Sequence, residues 1–158
     1  MAGEKHVDQA VVKLAAYLTS NLAAKLRAVE TAQSMTTNDL TDPVAVLSHR
    51  APFDNRSPLI EVFDEGWTFE QQRLNLLAVD CTVSVRYISD ANLANAEQFM
   101  RRYMTAVIDC INADTTLGDT VTTCILRDGS SAVGRGDDST TMYVYTQGVD
   151  VHVYAGAA

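Results

Sequence analysis

The chain has 158 residues, a mass of 17.2 kDa and a hydrophobic fraction of 47%, which is the size and composition of one globular domain with a core of its own. No stretch approaches the roughly 18 uncharged apolar residues that a membrane span needs, and Met1–His6 lead into an amphipathic pattern rather than an apolar signal core, so no secretory signal is expected. Twenty acidic against twelve basic side chains leave a net charge of -8, which opposes non-specific binding to DNA and suits a surface that must not stick to a polyphosphate.

From Glu4 to about Thr31, Val7, Val11, Leu14, Leu18, Leu22, Leu26 and Val29 recur at steps of three and four. That spacing predicts one long amphipathic helix. Residues 32–57 are rich in turn-forming residues, broken only by a short apolar patch at Val44, Val46 and Leu47 that suits one helical turn or a strand. The segment reads as a long loop, of the kind that is often functional. Leu59–Phe63 is β-prone, Asp64–Trp67 reads as a turn, and Glu70–Arg73 as a bend. Leu77, Val79, Cys81, Val83, Val85 and Tyr87 then alternate with polar residues, which predicts a long strand with one buried face.

Ser89-Asp90 is the expected cap of a second helix, with Leu93, Ala96, Met100, Tyr103, Val107 and Ile111 as its stripe and an end near Asn112–Asp114. Strand signals follow at Val121–Leu126 and at Met142–Tyr154, the latter with a bend or hairpin turn at Gln147-Gly148. Residues 127–139, with three glycines and alternating charges, read as a flexible hairpin tip. The expectation is a single domain over 1–158 with long loops at 32–57 and 127–139. Its fold class is α+β: an antiparallel or mixed sheet of about four to five strands with the two long helices packed on one face.

A search for chemistry finds no catalytic constellation. The glycine-rich segment lacks the Gly-Lys-Ser/Thr of a nucleotide-binding loop, and Ser130-Ser131 lacks a Gly-x-Ser-x-Gly elbow. His6, His49 and His152 lie far apart and read as surface residues, while Glu61, Asp64 and Glu65 read as acids facing water. Cys81, Cys110 and Cys124 sit in apolar patterns, without a Cys-x-x-Cys pair or a nearby His, and read as reduced, buried thiols in a cytosolic protein. No enzyme activity, cofactor or metal is expected. Recognition is better served. Arg50, Phe53 and Arg56 mix an aromatic ring with guanidiniums, a combination enriched at protein interfaces. Trp67, beside Phe63 and Phe69, suits either the core or an interface anchor. Arg127, Arg135, Asp137 and Asp138 charge the 127–139 segment. All eight are candidate interface residues.

Four segments carry a family resemblance: Leu14–Leu18 with Leu22, Ala78–Val85, Arg101–Asp109, and Asp114–Val121, where Leu117 is expected to fold back on the helix end and Gly118 to supply a left-handed or tight-turn conformation before the next strand. Through them the chain resembles the tail-terminator (tail-completion) proteins of long-tailed bacteriophages. The resemblance implies a virion protein without catalysis, assembled in the host cytoplasm. It implies a ring of the chain itself, a hexamer, that caps the tail tube, ends its polymerisation and meets the head connector or stopper protein, with viral DNA passing through unbound and no membrane involved. A head–tail adaptor or stopper is the alternative within that world. A dimeric α+β ligand-binding domain is the alternative from another class, and a small hydrolase a third.

Overall fold

The computed structural model describes residues 2–69, 76–89, 92–135 and 142–156. The order is α1 (Ala2–Ala32), β1 (Ala45–Leu47), β2 (Leu59–Phe69), β3 (Leu76–Ser89), α2 (Leu93–Ala113), β4 (Thr123–Arg135) and β5 (Tyr143–Gly156). The strands form one sheet in the order β1-β2-β3-β5-β4. β1 runs parallel to β2 and every other pairing is antiparallel, so the sheet is mixed. The fold is α+β, with both helices against the sheet.

The periodicities explain the layers. Val11, Leu14, Leu18, Leu22, Leu26 and Val29 of α1 are buried, as are Ala96, Met100, Tyr103, Val107 and Ile111 of α2. They meet Val79, Cys81, Val83 and Val85 of β3 and Val149, Val151 and Val153 of β5 in one hydrophobic cluster. Leu93, in the first turn of α2, stays 52% exposed. The helix is capped by Asn92, whose side chain accepts from the Asn95 amide at 3.2 Å, and not by Ser89-Asp90. Ser89 is the last residue of β3, and Asp90 lies outside the described residues.

Three expected breaks are strand instead. Asp64–Trp67 is no turn: β2 continues to Phe69, and Glu65 is absorbed as a bulge between the pairs Asp64↔Cys81 and Gly66↔Asp80. The extra residue shifts the alternation, so Trp67 pairs with Val79 on the helix-bearing face. Gln147-Gly148 is no bend, because Gly148 is paired to both Ser84 and Ser130, and ladders on both sides hold β5 straight. Arg127–Arg135 is no loop but the second half of β4, entered through a bulge between Leu126 and Gly129. The expected bend at Glu70–Arg73 lies outside the described residues.

Segment 32–57 holds the three-residue strand β1 and is tied down on both sides of it. Glu30, 2% exposed, accepts from the Leu40 amide at 2.7 Å and pairs with Arg27 at 2.9 Å, while Arg27 also bonds Asn38 and the Leu40 carbonyl. At the far end of α2, Asp114 accepts from the Thr116 amide at 2.9 Å, the Thr116 hydroxyl at 2.6 Å and the Gly118 amide at 2.9 Å. Leu117, Gly118 and Asp119 all take positive φ, at 51°, 72° and 61°. Leu117 is 3% exposed, so its burial offsets a left-handed backbone.

Candidate interaction surface

Residues paired across the sheet share a face, and β2 and β3 therefore place Leu59, Glu61 and Phe63 together with Arg86, Ser84 and Thr82 on the side away from the helices. The stretch 49–58 folds over this side as a lid. Arg86 donates to the carbonyls of Ala51 and Asp54 at 2.8 and 2.9 Å and pairs with Glu61 at 3.2 Å. Glu61 closes the loop by accepting from the Ala51 amide at 2.9 Å. The Arg50 guanidinium lies 4.3 Å over the Phe63 ring, a cation–π contact. Arg56 forks onto Asp54, with bonds of 3.0, 3.1 and 2.6 Å. Those bonds hold the Asp54 carboxyl down at about 2, below the usual carboxylate range. The lid is thus an ordered platform, and at its outer surface Phe53 is 93% exposed.

Beyond the lid the same face is polar. His152 Nε2 lies 2.7 Å from Asp80 Oδ1 as a cross-strand pair, and the Thr82 hydroxyl donates to Asp150 at 3.0 Å. Among the described residues no hydrogen bond links His152 to a Ser, Thr or Cys side chain, and no three His, Cys, Asp or Glu gather as a metal site. The three thiols are buried. Burial pushes Cys81 and Cys124 up to about 12 and Cys110 up to about 11, which leaves them unreactive.

The sheet has two open edges among the described residues. β1 covers β2 only from Leu59 to Glu61, so Val62–Phe69 is free on its outer side. β4 pairs with β5 alone, and residues 127–134 are exposed. The two edges differ in charge. Asp64 and Glu65 mark the first, and Arg127 and Arg135, with Asp128 between them, mark the second.

The candidate interface residues therefore fall into separate places. Arg50, Phe53 and Arg56 share the lid. Trp67 stands on the open edge of β2, 57% exposed, and so is not a core residue. Arg127 and Arg135 lie on β4, at the opposite side of the sheet, and Asp137 and Asp138 lie outside the described residues. Glu61 does not face water: it is 8% exposed and paired with Arg86. The Glu61–Arg86 hub is absent from the sequence reading, because each residue alone is an ordinary polar position on a strand and only the register brings them together.

No protein-family model matches the chain, and no curated protein matches it in sequence.

Proposed function

We propose that this chain is a structural subunit of the neck of a long-tailed phage, in which six copies close into a ring that caps the tail tube, stops its growth and presents a surface to the head connector. The observation that carries the reading is the pair of open sheet edges. One lies on each side of a single sheet, and they differ in sequence and charge, so they suit a head-to-tail contact, the kind that closes into rings. The Asp114–Val121 join, with Leu117 buried and Gly118 at positive φ, is compatible with the reading. So is the acidic balance, since a negatively charged lumen lets DNA pass without holding it. On this reading the protein ends in the virion neck after assembly in the host cytoplasm, and the ordered lid with Phe53 at its surface is the part offered to the tube or the connector.

Light scattering after size exclusion, followed by addition to growing tail tubes, tests the reading. A particle of about 103 kDa, six times the chain mass, that arrests tube growth is the expected result. A ring that binds capsids carrying portals but not tubes makes it an adaptor or stopper instead. A sharp two-fold dimer with no effect on tubes overturns the proposal.

A further inference from the structure

Trp67 is the only tryptophan in the chain and stands on an open edge, on the helix-bearing face of the sheet. At the opposite edge, the same face carries a cleft of about 190 Å³ between α2 and the second half of β4. Met100, Arg101, Val133, Tyr145 and Gln147 line it. Val133 is 48% exposed, and the Tyr145 hydroxyl is buried without a hydrogen-bond partner among the described residues.

We propose that these two features meet between copies: the open edge of β2 in one subunit pairs antiparallel with residues 131–135 of β4 in the next, and Trp67 closes over the cleft beside Val133. Strand direction, face and charge agree on this. β2 and β4 run in opposite senses within the sheet, so subunits repeated side by side bring them together antiparallel. Trp67 pairs with Val79, and Val133 with Tyr145, and both partners belong to the core under the helices, so the two helix-bearing faces continue across the joint. Setting Trp67 opposite Val133 also sets Thr68 opposite Ala132, and it brings acidic Glu65 level with basic Arg135. The indole N–H then has the Gln147 side chain and the Glu97 carboxylate, both of which line the cleft, as acceptors. β1 prevents the partner strand from pairing with the Leu59–Glu61 stretch, so neighbouring subunits are staggered along the strands, as in closed barrels. This contact deepens the ring reading and rests on it only for closure.

The test is disulfide trapping in the full chain with Thr68→Cys and Ala132→Cys together, both at exposed positions. The native thiols are buried and stay out of the reaction. Mild oxidation should give a ladder of covalent multimers from the double variant and only monomer from each single variant. In parallel, Trp67 emission should shift to the blue as the mass rises with concentration. Trp67→Ala should weaken association on the order of 30-fold or more, as loss of a central aromatic anchor does.

A dimer from either single variant means a two-fold contact and overturns the proposal. No ladder from a double variant that is oligomeric by light scattering overturns this contact and leaves the ring. A chain that stays monomeric at every concentration overturns the contact. A ladder from a protein that does nothing to tail tubes upholds the contact and removes the phage reading.

Discussion

Glu61 and Arg86 meet on the diagonal across β2 and β3, 3.2 Å apart, with side chains only 10% and 14% exposed. Between them they hold the backbone of Ala51 and Asp54, and so convert a long connection into a lid. Removing one member of a buried pair leaves the other charge uncompensated, at a cost of about 3 kcal/mol or more. Arg86→Met should therefore lower Tm by roughly 6–12 °C at 2–4 °C per kcal/mol, and should raise amide exchange across 49–58. Glu61→Gln should cost less, because Arg86 keeps both carbonyls. Phe53→Ala, at a fully solvated tip, should leave Tm unchanged within about 0.5 kcal/mol. Equal losses for all three variants would sink the hub.

Asp54 gives the lid a pH dependence with a defined sign. Its hydrogen bonds from Arg56 lower the folded-state value to about 2 from 3.8. The stabilisation is present above the unfolded value and is lost as pH falls through the folded one, between about 3.8 and 2. The Asp54 carboxyl followed by NMR should titrate near 2 in the native chain, and in the Arg56→Gln variant it should move back toward the ordinary carboxylate range. A wild-type midpoint near 4 would remove the fork.

The parts of the fold that were legible in the sequence are those with a full period behind them. The α1 stripe from Val7 to Val29 and the alternation from Leu77 to Tyr87 each repeat one signal over many residues, and both elements form. The misread places rest on a few turn-forming residues. Asp64-Glu65-Gly66 and Gln147-Gly148 have turn chemistry, but neighbouring strands were ready to hydrogen-bond through them, and the ladder won. The exposed half of β4 is harder still to see. Arg127–Arg135 lacks alternation, because residues 127–134 are open to solvent on both faces, and it is strand only because β5 pairs with it. Of the candidate surface, Phe53 was readable as an aromatic in a loop, Trp67 suited the core as well as an interface until its exposure was seen, and Glu61–Arg86 and the Trp67–Val133 correspondence of faces depend on register.

The thiols predict behaviour at high pH. Burial raises Cys81 and Cys124 to about 12 and Cys110 to about 11, from 9.0. Above pH 9 the unfolded chain releases thiol protons that the native chain keeps, so stability should fall as pH rises from about 9 toward 12. Replacing all three cysteines by alanine should flatten that slope, at the cost of core volume. In native protein at pH 8 a disulfide reagent should titrate none of the three within minutes, and all of them after denaturation. Rapid native labelling of any one would contradict the packing around it.

The helix–strand join at Leu117–Asp119 separates backbone strain from side-chain bonding. An added Cβ at Gly118 meets nothing within 4 Å, but φ is +72° there. Gly118→Ala should thus cost only the left-handed conformation, about 1 kcal/mol, or 2–4 °C in Tm. Asp114→Ala removes the acceptor of three bonds that shape the same turn, and it should lower Tm further than Gly118→Ala. Asp114→Asn should recover part of that loss, since an amide keeps one acceptor oxygen for two of those donors. Because Asp114 shapes the turn without reaching either open edge of the sheet, these variants should change thermal denaturation while leaving the trapped multimer ladder intact. A variant that kept its Tm and lost the ladder would place the join itself at the contact between copies.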